Sequence, residues 1–80
     1  MIDKNDVAKK LLSIISDVLD YEEEIHPEDS LVDEYGINSL ESLRLMVKIE
    51  DTWGIEMTGE ILFHIDTVQD MIDAICEQLQ

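Results

Sequence analysis

The side chains that most often perform catalysis or bind transition metals are scarce in this chain. Its 80 residues include two histidines and one cysteine. A hydrolytic triad needs a base beside a nucleophile, and a zinc site needs clustered histidines and cysteines. His26 directly precedes Pro27, whereas His64 and Cys76 lie far along the chain. We therefore expect two ordinary surface or half-buried histidines, no catalytic residue and no metal site.

Carboxylates are abundant, with 20 Asp and Glu residues, but their spacing forms no recognisable calcium loop. An EF-hand needs acidic side chains at alternating positions, a central glycine and a closing glutamate. The runs at 22–24 and 33–34 do not supply that pattern. They are more typical of a solvated face with weak, unspecific affinity for divalent cations. A glycine-rich phosphate loop is also missing from the sequence.

Ser39 is the residue whose position favours a specific chemistry. It follows a loop containing Gly36, and Asn38 with Glu41 forms a capping-box pattern that predicts a helix start. A helix start presents unpaired N–H groups and the positive end of the dipole, which would favour a phosphate attached to the serine. From position alone, a serine that simply caps the helix remains the better explanation.

Composition limits the partners and the setting. Eighty residues predict one domain spanning 1–80, and a formal charge of -15 argues against nucleic acid and anionic membranes. Such charge favours solubility and partners with basic surfaces, and we expect a monomer. The lone cysteine offers no internal disulfide, which favours a reducing, cytoplasmic setting. We expect no transmembrane segment, no stable membrane attachment and no secretory leader.

Hydrophobic periodicity predicts the elements that position Ser39. A first helix is expected from about Asp6 to Tyr21, capped by Asp3, Asn5 or Asp6. Its apolar stripe comprises Val7, Leu11, Ile14, Ile15 and Val18. A long loop should follow over 22–38 and pack on the core, with a turn of helix at 27–31 as an alternative. A second helix is expected over 39–53, ending at Gly54. Its stripe would be Leu40, Leu43, Val47 and Trp53, with the apolar surface widened by Met46, Ile49 and Leu45.

The rest of the chain predicts one short and one long helix. Residues 58–64 could form one or two turns. A last helix should be capped by Asp66, with Gln69 as its capping-box partner. Its stripe comprises Val68, Met71, Ile72, Ile75 and Leu79. The fold class expected is therefore all-α, a small four-helix bundle of three long helices and one short helix with a long first loop and no sheet.

The sequence resembles the acyl carrier proteins and, more broadly, the phosphopantetheine-carrying family. Asn38-Ser39-Leu40 is similar to the family's Asp-Ser-Leu attachment motif and is preceded by Gly36. The likeness extends over nearly the whole chain, through Leu31, Asp33-Glu34, Glu50-Asp51, Trp53, Ile55-Glu56-Met57 and Thr67-Val68. The resemblance implies a non-enzymatic carrier. Its Ser39 would receive 4'-phosphopantetheine from coenzyme A through a separate phosphopantetheinyl transferase.

By the same resemblance, the arm's thiol would hold acyl or aminoacyl groups as thioesters between a loading enzyme and downstream synthase enzymes. Two departures bear on partner choice. Asn38 replaces the usual aspartate, and Arg44 with Lys48 resembles peptidyl carrier domains more than fatty-acid carriers. We interpret the chain as a free-standing carrier for a dedicated pathway, which could be fatty-acid-like, polyketide or nonribosomal peptide synthesis. The candidate partner surface comprises Asn38, Leu40, Glu41, Arg44, Val47, Lys48, Glu50 and Asp51.

An alternative function is a helical interaction module that kept the carrier fold and lost the prosthetic group. The substitution at Asn38 gives this alternative weight, and the retained Ser39 weighs against it.

Overall fold

Four helices make up the regular structure. The computed structural model describes residues 2–80. The helices are α1 (Lys4–Leu19), α2 (Ser39–Trp53), α3 (Gly59–Phe63) and α4 (Val68–Leu79). Over residues 2–80 there is no strand, only an isolated bridge between Ser30 and Thr67. This architecture confirms the predicted all-α bundle of three long helices, one short helix and a long first loop. In the same range, no helix is both long and apolar enough to cross a bilayer.

The first helix begins two residues earlier than its periodicity predicted. Asp3, one of three candidate caps, accepts a hydrogen bond from the Asn5 N–H at 2.9 Å. The helix ends where Asp20 adopts a left-handed conformation with φ of 53°. The predicted stripe is correct, because its members Val7, Leu11 and Ile15 are the buried residues of α1. Through this face α1 packs against both α2 and α4.

The second helix has the predicted bounds but buries a different face. Its buried residues are Leu45 and Ile49, whereas Leu40, Leu43 and Val47 are 58%, 56% and 55% exposed. As a core-facing stripe the prediction was therefore wrong for these three residues, whereas the placement of Leu40 and Val47 on an exposed partner surface agrees with their exposure. At about 100° per residue the two sets lie on roughly opposite sides of the helix. Apolar side chains surround most of α2, so the spacing of its apolar residues does not identify the buried side. Packing against α1 determines which side is buried.

The last helix buries its predicted stripe but begins with a different cap. Thr67 Oγ1 accepts from the Asp70 N–H at 3.0 Å, and Asp70 Oδ2 accepts from the Thr67 N–H at 3.1 Å. The predicted pair of Asp66 and Gln69 was therefore wrong by one residue. Asp66 fails to cap because its carboxylate accepts from Ser30 Oγ at 2.8 Å. The buried residues of α4 are Val68, Met71, Ile72, Ile75 and Cys76.

Loop 1 (residues 20–38) is held against the start of α4. The Leu31 N–H donates to the Asp66 carbonyl at 2.9 Å, and the Gln69 N–H donates to the Pro27 carbonyl at 2.7 Å. Ile25 and Leu31 are buried in the core. Residues 27–31 form turns, a bend and the isolated bridge at Ser30, and no helix, so the alternative turn of helix is wrong. The prediction that the loop packs over the core is correct.

A tyrosine fixes the middle of loop 1. Tyr35 Oη donates to Asp29 Oδ2 and accepts from the His26 N–H, both at 2.9 Å. Its ring packs edge-to-face on Tyr21 with 5.2 Å between centroids. Burial, with a smaller contribution from the Asp29 carboxylate, raises the pKa of Tyr35. The loop is thereby ordered one residue before the glycine that leads into α2.

Candidate functional site

Ser39 is the first residue of α2, and its side chain is exposed. The hydroxyl is therefore accessible to another protein. The N–H groups of the first helical turn have no intrahelical acceptor, and they carry the positive end of the helix dipole. An anion bonded to the Ser39 oxygen would lie against this end of α2.

The backbone before Ser39 is directed by Gly36. Its φ of 61° lies in the left-handed region, where a residue with a Cβ would be strained. The Gly36 N–H donates to the Val32 carbonyl at 3.0 Å, and the Ile37 N–H donates to the Leu31 carbonyl at 3.1 Å. Because Leu31 is itself buried, these bonds attach the backbone segment before Ser39 to the core.

A complete capping box surrounds Ser39. Asn38 Oδ1 accepts from the Glu41 N–H at 2.8 Å, and Glu41 Oε1 accepts from the Asn38 N–H at 3.1 Å. The capping role predicted for these two residues is confirmed. Asn38 thus supplies the acceptor that an aspartate would supply, without adding a charge beside Ser39.

A small apolar cavity lies beside the first two turns of α2. Its volume is about 150 Å³, roughly the space of five water molecules. The lining residues come from loop 1, α2, α4 and the segment around α3, and include Ile37, Ser42, Leu45, Leu62 and Met71. Since Ser42 lines the cavity and is one turn beyond Ser39, the cavity is close to the start of α2.

A second concave surface, the α1/α2 groove, lies where the C-terminal half of α1 meets the exposed side of α2. Its volume is about 630 Å³. It is lined by Asp17, Val18, Leu43, Arg44, Val47, Lys48 and Asp51. Four of these, namely Arg44, Val47, Lys48 and Asp51, belong to the predicted partner surface, so the structure brings half of that surface together in one groove.

The remaining predicted partner residues are either exposed or hydrogen-bonded within the molecule. Leu40 is exposed on the turn that follows Ser39. Glu50 is half-buried, and its Oε2 accepts from the Met57 N–H at 2.9 Å. The Glu50 carboxylate therefore stabilises the segment that follows α2. The Asn38 and Glu41 side chains stabilise the start of α2.

Three residues that line the α1/α2 groove were not predicted in the partner surface, namely Leu43, Asp17 and Val18. Leu43 and Val18 were assigned to core-facing stripes. For Leu43 a signal was available, since it precedes Val47 by four residues and therefore shares its side of the helix. Asp17 and Val18 gave no such signal, because their role depends on how α1 lies across α2.

Comparison with known proteins identifies the family of the chain. The family model for the phosphopantetheine attachment site matches residues 9–75. The chain is 38% identical over 68 residues to the acyl carrier protein of Syntrophus aciditrophicus (strain SB), covering 84% of this chain and 85% of that protein. It is 29% identical over 75 residues to the acyl carrier protein of Thermosynechococcus vestitus, covering 92% of this chain and 93% of that protein.

The fold has a counterpart among solved structures. A Mycobacterium tuberculosis protein proposed to be an acyl carrier protein superposes with a TM-score of 0.84 at 24% identity, over 89% of this chain and 96% of that one. At this identity the likeness concerns the fold alone. The family model and the curated relatives span most of the sequence. The chain therefore belongs to the acyl carrier protein family, whose members carry phosphopantetheine.

Proposed function

We propose that Ser39 is the residue that receives 4'-phosphopantetheine, the cofactor of this family. The observation that supports the proposal is an exposed serine hydroxyl at the first position of α2, immediately after a capped and ordered loop. When bound, the group supplies a terminal thiol that holds an acyl or aminoacyl cargo as a thioester. The protein's own residues hold, shelter and present that cargo, and carriers of this kind are not themselves catalysts.

The residues around Ser39 fit the group. The N-terminal N–H groups of α2 would face its phosphate, and the hydroxyl of Ser39 is accessible to a phosphopantetheinyl transferase. The neutral Asn38 side chain adds no repulsion toward that phosphate, while its Oδ1 still caps the helix. The cavity beside Ser42 would accommodate the start of a short apolar cargo.

The partner class follows from the carrier role. We infer that a phosphopantetheinyl transferase, a loading enzyme and downstream synthase enzymes contact the exposed side of α2, and that the carrier acts as a cytoplasmic monomer. The exposed Arg44 and Lys48 favour a dedicated pathway over a main fatty-acid synthase, since enzymes that expect an acidic helix would meet like charge. A fatty-acid-like, polyketide or nonribosomal peptide pathway would fit this description.

Intact-mass spectrometry tests the attachment site. The unmodified protein is incubated with coenzyme A and a promiscuous phosphopantetheinyl transferase. We expect the mass of one phosphopantetheine to be added to the parent and to Ser42→Ala, and nothing to be added to Ser39→Ala. Ser42 is the matched control because it lies one turn further along the same helix, where it is half-buried. No addition to the parent with several transferases would favour the interaction-module alternative.

The identity of residue 38 provides a second test. Asn38→Asp keeps an acceptor for the Glu41 N–H, so we expect an unchanged fold. If the transferase reads the aspartate of the family motif, this variant is modified faster than the parent in a time course. Equal rates would show that capping, rather than charge, is what residue 38 contributes.

A further inference from the structure

The α1/α2 groove combines apolar and basic side chains in two parallel rows. Leu43 and Val47 are four residues apart on α2, and so are Arg44 and Lys48. Pairs at this spacing lie one above the other on a helix. Both apolar side chains are more than half exposed, and Val18 of α1 extends the apolar floor. The groove thus offers an apolar strip bordered by a basic strip.

Within the described part of the chain, the two cations of the groove form no ion pair with a carboxylate. Among residues 2–80, the one ion pair within 4.0 Å joins Lys4 to Asp73 at 2.6 Å. Arg44 and Lys48 form none there, although both are exposed and Asp51 lies within a turn of Lys48. They are two of only five cations in a chain of formal charge -15. Their position beside the apolar strip makes the groove a local exception to the acidic surface.

The charges also give the groove a direction relative to Ser39. At 1.5 Å per residue, Arg44 lies about 7.5 Å and Lys48 about 13.5 Å along the axis of α2 from Ser39. Asp51 lies about 18 Å away, and Asp17 lines the same groove. An occupant complementary to the α2 charges would carry carboxylates toward the Ser39 end and a basic side chain toward the far end.

We propose that the α1/α2 groove binds an amphipathic helical segment of a partner protein, with carboxylates beside its apolar ridge. The ridge would cover Leu43 and Val47, and the carboxylates would pair with Arg44 and Lys48. A basic segment would place like charges against these two cations, which opposes docking. A second copy of this chain is disfavoured because it would bring together two bodies of charge -15. At physiological salt the screening length is about 8 Å, so the charges that line the groove, Arg44 and Lys48 with Asp17 and Asp51, outweigh the carboxylates elsewhere on the molecule.

The inference rests on the proposed carrier role for its biological meaning, but its test needs no cofactor. The Ser39→Ala protein, labelled with ¹⁵N, is titrated with two designed helical peptides of about four turns. The first has a leucine ridge, two glutamates four residues apart beside it and a lysine at one end. The second is identical except that each charge is reversed. We expect the first peptide to shift the amide signals of Val18, Leu43 and Val47, and the second to leave them in place.

Two charge-reversal variants identify the groove cations as the cause. Arg44→Glu/Lys48→Glu should weaken binding of the first peptide about tenfold or more and permit binding of the second. Lys9→Glu/Lys10→Glu changes the net charge equally at exposed positions of α1 that do not line the groove. This control should leave the dissociation constant within about twofold.

Three results would overturn the proposal: tighter binding of the charge-reversed peptide to the parent, equal weakening by both double variants, or a dimer in sedimentation that dissociates when Arg44 and Lys48 are reversed. Because Ser39 is absent from the tested protein, failure of docking and failure of attachment appear in separate measurements.

Discussion

Replacing Tyr35 with phenylalanine should lower the free energy of unfolding by about 1–2 kcal/mol. The substitution removes one oxygen and keeps the ring, so the edge-to-face contact with Tyr21 remains. What disappears are two hydrogen bonds of 2.9 Å, one donated to Asp29 Oδ2 and one accepted from the His26 N–H. The perturbation is therefore confined to the polar connection that orders loop 1.

The magnitude follows from the two bonds. A typical intramolecular hydrogen bond contributes about 0.5–1.5 kcal/mol net, and one to a charged group about 1.5–3 kcal/mol. The His26 N–H is exposed to water, which can replace the lost acceptor. Its bond should therefore contribute near the low end of the range for a typical hydrogen bond. The bond to Asp29 is part-buried and is also reduced by solvent. Together they give the expected loss of about 1–2 kcal/mol.

Urea unfolding followed by far-ultraviolet circular dichroism measures the effect. With a slope of about 1 kcal/mol per molar for a chain of this size, the midpoint should fall by about 1–2 M. Tyr21→Phe is the matched control, because its hydroxyl donates only to the exposed Glu23 carboxylate at 3.2 Å. The control should keep the parent's midpoint. An unchanged midpoint for Tyr35→Phe, or an equal shift in the control, would refute the reasoning.

Three further outcomes are expected. Ile49→Ala, in the buried face of α2, should lower the free energy of unfolding by about 2–5 kcal/mol. Leu43→Ala, on the exposed side, should leave the melting temperature nearly unchanged. Similar losses of stability in the two variants would mean that the two faces are misassigned. Hydrogen bonds from the Thr67 and Asp66 N–H groups lower the pKa of Asp70 below 3.8, and the bond from Lys4 does the same for Asp73. These carboxyls therefore stabilise the fold above the unfolded pKa, and that contribution is lost as pH falls through their folded pKa values. The difference in urea midpoint between the parent and Asp70→Asn should therefore shrink as pH falls below about 4, and a difference that does not change with pH would contradict the assignment. Finally, sodium chloride and millimolar-range divalent cations should raise the melting temperature by screening the charge of -15, and a flat or falling series in scanning calorimetry would contradict this account.

Local signals in the sequence predicted the helix at the site with the correct bounds. The capping pair of Asn38 and Glu41 and the left-handed Gly54 lie within a few residues of the backbone they terminate, so they act alike in any tertiary setting. The cap of α4 was harder because Asp66 and Thr67 are consecutive candidates. Ser30 decides between them by binding Asp66, and that contact joins residues distant in sequence.

The exposed face of α2 was predicted only in part, since Leu40 and Val47 were placed on the partner surface and Leu43 was not. Leu40, Leu43 and Val47 recur at helical spacing as clearly as the buried Leu45 and Ile49. A periodic pattern identifies a helix, but it names the buried face only when the opposite side is polar. The α1/α2 groove required the position of Asp17 on another helix, which no local pattern contains.

The burial of Cys76 has a consequence for the chemistry of a loaded carrier. It is the sole cysteine of the chain and is only 6% exposed, packed in the core face of α4. A buried thiol in apolar surroundings is a poor nucleophile, so the polypeptide does not compete for an activated acyl group by exchange with its own sulfur. Alkylating reagents used under native conditions should therefore leave the unmodified chain unlabelled, and the labelling stoichiometry of a preparation would count its prosthetic arms directly.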